Sequence, residues 1–280
     1  MTQRSIYFFG NGKADGSSEL KDLIGGKGAS LADMTRAGLN VPPGFTISAQ
    51  FCEYYYQHER HWPDSLEAEV RASLRRLEEM AGRSFGVGGQ PLLVAVRSGA
   101  AQSMPGMMDT LLNVGLNPDC VRAMGERTGN PRGAWEAYLH FMAMYARTVR
   151  GLDDGTLGRI DRLLSNGVDE FDLALEALAA VEQFKLPTDP WTMLRAAINA
   201  VFESWHSERA LTYRKHHKID GLLGTAVNVQ MMCPSEVYGV LFTANPVNQA
   251  PNIIIESAFG LGEAVVLGRV TPDRFVLDKA

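Results

Sequence analysis

The first candidate for a functional residue is an arginine that follows a short apolar run. Residues Leu92 to Val96 are apolar, rich in β-forming types and flanked by turn formers, which predicts a buried strand that ends on Arg97. The next eleven residues are mostly small or unbranched, in the order Ser-Gly-Ala-Ala-Gln-Ser-Met-Pro-Gly-Met-Met. A cation beside such a loop could bind a polyanion, because small side chains let the anion lie close to the backbone. A core loop beside a surface arginine is the alternative, and on spacing alone it is the commoner arrangement.

A second cation lies in a glycine-rich turn near the start of the chain. Residues 25 to 28 are Gly-Gly-Lys-Gly, and they enter a predicted helix that carries Leu31 and Met34 at helical spacing. Such a turn presents free backbone N–H groups, and Lys27 adds a mobile positive charge beside them. It is not a Walker A motif, because it lacks the pattern Gly-x4-Gly-Lys-Ser/Thr. For an isolated Gly-Gly-Lys-Gly, a solvated turn is the commoner alternative.

Both stretches are similar to the motifs of one enzyme family. Residues 23 to 32, LIGGKGASLA, lead to VPPGF at 41 to 45, and this block resembles the opening motif of pyruvate phosphate dikinases, phosphoenolpyruvate synthases and rifampin phosphotransferases. Residues 96 to 117, VRSGAAQSMPGMMDTLLNVGLN, resemble the phosphate-covering loop region of the dikinases. Because the two motifs occur in the family's order and separation, the chain is identified as a member, with the dikinases as the predicted branch.

The resemblance implies roles for individual residues. Lys27 and Arg97 would be the catalytic residues that neutralise the phosphate oxygens of ATP, and the loop from Gly99 to Met108 would cover the phosphates and exclude water. The expected nucleotide-binding positions are Gly99, Ala100, Ser103, Met104, Gly106, Met107, the backbone of Gln230, Met231 and Met232 beside adenine, and Arg269 beside phosphate. Catalysis would consist mostly of positioning and charge neutralisation, because the metaphosphate-like transition state needs little covalent help.

Beyond Met232 the chain departs from the dikinase pattern. Residues 239–246 and 257–263 look closer to the synthases and the rifampin enzymes. Where dikinases carry an acidic residue after the Asn-Pro turn, this chain has Val-Asn-Gln-Ala, and the dikinase glutamine after the next strand has no clear counterpart. Magnesium prefers one or two carboxylates together with phosphate oxygens and water. The predicted metal ligands are therefore Glu256 and Glu263, with Asp273 third, although each could equally be a solvated or ion-paired carboxylate.

The apolar pattern around these motifs predicts mixed helix and strand. An amphipathic helix is predicted over 64–80, with one buried face formed by Leu66, Val70, Leu74 and Leu77. Strands are predicted at 6–9, 45–47, 92–96, 225–232, 237–243, 252–256 and 274–277. Residues 117 to 187 are predicted to be helical. By resemblance the fold is α+β, a two-lobed ATP-grasp-like domain in which 1–116 and 188–280 bind ATP and 117–187 form an inserted helical subdomain.

Composition and charge exclude several classes of protein. With 280 residues, 45% hydrophobic and 21% charged, the chain can bury a sizeable core as one large domain or two packed lobes. A net charge of −5 argues against broad binding to nucleic acid or to an anionic membrane. Three widely spaced cysteines support neither disulfides nor a structural zinc site and are expected to be small buried residues. Without a signal peptide or a long apolar run, a cytoplasmic location is predicted.

The histidines limit how much of the family reaction this chain can perform. The family carries a phosphorylated histidine in a Gly-Gly-x-Thr-Ser-His type motif on a swivelling domain, and it binds pyruvate and phosphoenolpyruvate on a barrel domain. None of the six histidines of this chain lies in such a motif. We therefore expect an N-terminal half that holds Mg-ATP for a histidine elsewhere. Its expected partners are the phosphohistidine and barrel domains, both absent from this chain, and the resemblance leaves open a homodimer formed through the missing C-terminal domain.

Two alternatives to a dikinase remain at this point. The first is the ATP-binding domain of a phosphoenolpyruvate synthase or rifampin phosphotransferase, which the C-terminal motifs favour. The second belongs to another class and is a stand-alone nucleotide-binding regulatory module without turnover of its own. For a dikinase, the complete enzyme would interconvert ATP, phosphate and pyruvate with AMP, pyrophosphate and phosphoenolpyruvate.

Overall fold

The chain divides into two compact units, Met1–Met232 and Cys233–Ala280. The computed structural model describes residues 4–153, 155, 157–158, 179–259 and 270–279. Helices and strands are both present among them, so the chain is of the α+β class, as the sequence predicts. Within the described part, no helix is long and apolar enough to cross a membrane.

An antiparallel sheet forms the centre of the first unit. Its strands are β1 (Ile6–Gly10), β2 (Lys13–Ala14), β3 (Gly44–Ile47), β4 (Val94–Gly99), β5 (Thr110–Val114) and β6 (Ala226–Met231). The strand order is β2-β1-β3-β6-β4-β5, and every neighbouring pair is antiparallel. The late strand β6 therefore lies between β3, which begins within the first motif block, and β4, which belongs to the second.

Helices cover both faces of this sheet. Those that lie wholly within the described residues are α1 (Lys21–Arg36), α2 (Gln50–Gln57), α3 (Asp64–Ala81), α4 (Pro118–Thr128), α5 (Pro131–Arg150), α6 (Pro190–Ser204) and α7 (Glu208–His217). Asn117, Asp189 and Ser207 cap α4, α6 and α7, each accepting a hydrogen bond from a backbone N–H two or three residues later. Local sequence thus sets where these helices begin.

One face of the sheet carries the main apolar core. Side chains alternate between the faces of a strand, and Phe8, Phe45 and Val229 all enter a single buried cluster. The apolar sides of α2, α3, α5 and α6 contribute to the same cluster. The predicted buried face of α3 is confirmed, since the four leucine and valine residues expected there are buried.

Helix α1 has a different packing partner, and it is bent at a glycine. Its Ile24 and Ala29 pack with Tyr7 of β1 in a separate small cluster. Gly25 has φ 70° and ψ 171°, a backbone conformation essentially confined to glycine. A Cβ atom at Gly25 would lie 1.6 Å from the carbonyl oxygen of Gly99. Glycine at this position therefore allows α1 to cross the end of β4 at backbone contact distance.

The second unit contains three antiparallel strands. They are β7 (Val237–Phe242), β8 (Ile253–Phe259) and β9 (Asp273–Leu277), in the order β7-β8-β9. The three strands predicted after Met232 are therefore present, with bounds that differ by a few residues.

Two parts of the sequence-based prediction need correction. The strand predicted to end on Arg97 continues to Gly99, because Arg97, Ser98 and Gly99 pair with residues 228, 227 and 226 of β6. Strand β5 and helix α2 were not predicted at all. Helices α4 and α5 fall in the stretch predicted to be helical, whereas the division at 116/117 and 187/188 stays a prediction.

The variant Gly25→Ala tests the close approach between α1 and β4. It is expected to lower the free energy of unfolding by roughly 2–6 kcal/mol, because overpacking and a strained backbone add together. Urea unfolding followed by circular dichroism measures this loss.

Gly82→Ala is the matched control for that experiment. Gly82 ends α3 with φ 61°, and nothing lies within 4 Å of the position of its Cβ. This control should therefore lose only about 1–2 kcal/mol from left-handed strain. Equal losses in the two variants would contradict the contact between Gly25 and Gly99.

Candidate functional site

A cavity of about 640 Å³ lies between α1 and the segment that follows β4. Lys27 and Arg97 both line it, together with Lys21 and residues 100–104 of the predicted loop. The size is typical of a small-molecule site. The structure thus brings the two sequence motifs to one concave surface.

Lys27 is partly buried at this cavity. Its Nζ donates a hydrogen bond of 2.9 Å to the carbonyl oxygen of Ser98. Burial lowers the pKa of Lys27 below its ordinary value, and the positive charge of Arg97 lowers it further. Among the described residues, no carboxylate forms an ion pair with Lys27. Because two cations lie close together here, a bound anion would stabilise the site.

The side chain of Gln230 holds the guanidinium of Arg97. Arg97 Nη2 donates to Gln230 Oε1, and Gln230 Nε2 donates to the carbonyl oxygen of Pro42 at 2.9 Å. Gln230 is buried, so its amide is held from both sides away from water. Sequence reasoning assigned Gln230 only through its backbone and missed this contact. The available signal was the alternation of polar Asn228 and Gln230 with apolar residues in the run 226–231.

A backbone hydrogen bond joins the two motifs directly. The N–H of Gly26 donates to the carbonyl oxygen of Ala100 at 2.9 Å. The N–H of Gly99 donates to Thr225 Oγ1 at 3.2 Å. Gly99 and Ala100 were both expected at the nucleotide, and in the structure they connect the start of α1 to the central strands.

The remaining loop positions fall into two groups. Ser103 and Met104 line the cavity, and Met104 is buried, with its carbonyl oxygen accepting a hydrogen bond from the N–H of Met107. Gly106 and Met107 do not line it, and Met107 lies instead at a second depression beside α7. The loop is therefore buried at Met104 and exposed at Gly106, whereas Met107 and Met108 pack partly buried against the core.

The predicted adenine contacts lie at the end of β6. The N–H of Met231 donates to the carbonyl oxygen of Pro43, and that of Met232 donates to the carbonyl oxygen of Leu93, both at 2.9 Å. These two amides are thus engaged within the sheet, and a ligand could use them only by replacing those bonds.

The predicted metal ligands belong to the second unit. Glu256 lies opposite Arg274 on the neighbouring strand, and Arg274 Nε is 3.8 Å from Glu256 Oε1. Asp273 begins β9 and is exposed. Glu263 and Arg269 lie outside the described residues. Among the residues that are described, no group of three or more His, Cys, Asp or Glu side chains could hold a metal ion.

The cysteines offer no reactive thiol in the first unit. Cys52 and Cys120 are buried, and burial raises the pKa of Cys52 to about 12 and that of Cys120 to about 11. Cys233 is exposed, which corrects the expectation that all three would be buried.

A family model matches almost the whole chain. The model described as "Pyruvate phosphate dikinase, AMP/ATP-binding domain" matches residues 21–62 and 57–280. These ranges include Lys27, Arg97 and the segment beyond Met232 whose motifs look closer to the synthases.

Three similar proteins are named as pyruvate, phosphate dikinases. The protein of Rhizobium meliloti (strain 1021) is 42% identical over 287 residues, which cover 95% of this chain and 32% of that protein. The chloroplastic protein of Flaveria pringlei is 39% identical, over 97% of this chain and 30% of its own length. The protein of Rickettsia bellii (strain RML369-C) is 36% identical, with coverage of 99% and 34%. The chain spans about a third of the length of these relatives, and it belongs to the pyruvate phosphate dikinase AMP/ATP-binding domain family.

Proposed function

We propose that this chain is the Mg-ATP-binding part of a pyruvate phosphate dikinase-like phosphotransferase. The observation that carries the proposal is the meeting of Lys27 and Arg97 at one cavity, inside the segment that the family model matches. The whole protein would convert ATP, phosphate and pyruvate into AMP, pyrophosphate and phosphoenolpyruvate through a histidine on another domain. The part played by this chain is to hold ATP in line with that imidazole.

The charge arrangement of the cavity suits a polyphosphate. Lys27 and Arg97 repel each other in the free site, and burial further disfavours the charge of Lys27. A triphosphate between them removes both penalties, because its oxygens supply the opposite charge and accept hydrogen bonds. Cations that are already in place stabilise charge in the transition state without reorganising at the moment of transfer.

The backbone of the site brings the phosphates close. Gly26 lines the cavity and leaves room for a ligand beside the main chain, and Ser103 also lies on the cavity surface. With Met104 buried beneath it, the loop covers the phosphates and limits their access to water.

Magnesium is the expected metal, and it would neutralise phosphate charge when bound. It needs only one or two protein carboxylates, because phosphate oxygens and water complete its coordination. Glu256 fits this requirement, since its side chain is 35% exposed and its cationic neighbour Arg274 is also half exposed. Asp273, Glu263 and the cation Arg269 complete the proposed set on this part of the chain.

Residues 1–116 and 188–280 would form the ATP-binding body, arranged as an ATP-grasp-like fold, with 117–187 as a helical insertion. The phosphohistidine domain and the pyruvate-binding barrel would belong to the rest of a longer protein, whose C-terminal domain would form a homodimer. A cytoplasmic location is part of the proposal, although the Flaveria pringlei relative is chloroplastic.

A phosphoenolpyruvate synthase or a rifampin phosphotransferase is the second candidate, favoured by residues 239–246 and 257–263. The full-length protein separates them through its second acceptor. With ATP and pyruvate, a dikinase should consume added phosphate and release pyrophosphate, measured by phosphorus NMR. Release of inorganic phosphate without pyrophosphate would favour the synthase, and transfer to rifampin without any use of pyruvate would favour the third enzyme.

Removal of either cation should weaken nucleotide binding. Lys27→Ala and Arg97→Ala are each expected to raise the Kd for Mg-ATP about 10- to 100-fold, because each loses a charged hydrogen bond to phosphate. Isothermal titration calorimetry measures the affinity, and thermal unfolding verifies that each variant is folded. Lys13→Ala and Arg132→Ala remove exposed cations away from the cavity and should bind as the wild type does. Unchanged affinity in both cavity variants would contradict the proposal.

The lowered pKa of Lys27 predicts proton uptake on binding. In the free protein Lys27 loses its proton below its ordinary pKa of 10.5, whereas a bound phosphate would raise that pKa again. Between the two pKa values, ATP binding must therefore take up a proton, and the affinity must fall as the pH rises.

Calorimetry in two alkaline buffers of different ionisation enthalpy measures this proton uptake. Lys27→Arg is the matched control, because arginine stays charged throughout this range and should bind ATP without the Lys27-dependent uptake. Equal uptake in the wild type and in Lys27→Arg would assign the proton to another group.

A further inference from the structure

A row of polar residues crosses the centre of the sheet beneath α1. Thr46 on β3, Asn228 on β6 and Arg97 on β4 are direct partners in the strand registers. Residues directly opposite each other in antiparallel strands share one face. The cation Arg97 is therefore the end of a three-residue row, and the other two members have no role in the reaction described above.

Thr46 and Asn228 form a buried hydrogen-bonded pair. Thr46 Oγ1 donates to Asn228 Oδ1 at 2.8 Å, and the two residues are 1% and 0% exposed. The Nδ2 of Asn228 is also buried, and among the described residues it has no hydrogen-bond partner. A buried N–H group without an acceptor lowers the free energy of unfolding, because it has lost its hydrogen bonds to water. An apolar side chain of the same shape would not carry this cost.

The pair contacts both backbones that carry the cationic site. A Cβ at Gly28, next to Lys27, would lie 3.0 Å from the hydroxyl and the methyl group of Thr46. A Cβ at Gly99 would lie 2.6 Å from Nδ2 of Asn228. Gly99 follows Ser98, whose carbonyl oxygen accepts the hydrogen bond from Lys27. The pair thus supports the main chain on both sides of that bond.

We propose that Thr46 and Asn228 are positioning residues, which act through Gly28 and Gly99 to place Lys27 and Arg97 for phosphate. This inference rests on the proposed nucleotide site. The polar groups of the pair serve to place the two cations. The fold would be as stable with apolar side chains of the same shape at both positions. Unfavourable buried groups of this kind are expected at functional sites, where local rules of folding are broken.

The test is the double variant Thr46→Val/Asn228→Leu, which removes both polar partners and keeps their approximate shapes. It should unfold cooperatively at a melting temperature close to that of the wild type, because replacing both partners of a buried bond leaves no new unpaired group. Its Kd for Mg-ATP should rise about tenfold or more. Its proton uptake on binding should also fall, because Lys27 would no longer be held at the phosphates.

Two single variants complete the design. Thr46→Ser retains the hydroxyl and should keep both the affinity and the proton uptake of the wild type. Thr35→Val removes a buried hydroxyl of α1 that bonds within its own helix, to the carbonyl oxygen of Leu31, and should likewise leave ATP binding unchanged.

Each outcome has a defined meaning. If the wild type binds Mg-ATP and the folded double variant binds it equally well, the positioning role is overturned and the nucleotide site stands. If the double variant loses cooperative unfolding, the pair belongs to the fold and the inference is again overturned. If Lys27→Ala and Arg97→Ala both bind ATP as the wild type does, the proposed function fails and this inference fails with it.

Discussion

The backbone contact between Gly25 and Gly99 is the constraint on which the rest of the site depends. Any side chain at Gly25 would overlap the carbonyl oxygen of Gly99, and the conformation of Gly25 is itself confined to glycine. This contact lets the first turns of α1 lie against the end of β4, so the ammonium of Lys27 reaches the carbonyl oxygen of Ser98. Two separate sequence motifs thereby meet at one cavity.

Within the part of the chain that the structure describes, no carboxylate pairs with the ammonium of Lys27. Lys27 is held by a backbone carbonyl oxygen and Arg97 by the amide of Gln230, and both of these partners are neutral. A carboxylate would bind this ammonium more tightly and would compete with a phosphate for its charge. The neutral carbonyl oxygen orients Lys27 without neutralising it, and burial and the positive charge of Arg97 accordingly lower the pKa of Lys27.

The sequence predicts the local elements better than their arrangement. Helix α3 is predicted to within one residue at its end, because four apolar residues at helical spacing precede a left-handed Gly82. Lys27 and Arg97 are identified by their motifs. The position of β6 between β3 and β4 could not be predicted, since periodicity does not say which strands pair. The role of the Gln230 side chain depends on that pairing. The length of β4 was missed because Ser98 and Gly99 resemble a loop, although their backbones continue the ladder.

The two faces of the central sheet differ in the kind of side chain that they bury. On one face, alternate residues such as Phe45 and Val229 enter the large apolar core, and the free energy of folding depends on their burial. On the other face, the intervening residues Thr46, Asn228 and Gln230 are polar, although all three are buried. A chain selected for stability alone would carry apolar residues on both faces, because α1 already shields the second face from water. On the proposed function, the polar residues of this face serve a site that must hold two cations in place, and substitutions on the two faces should separate stability from affinity.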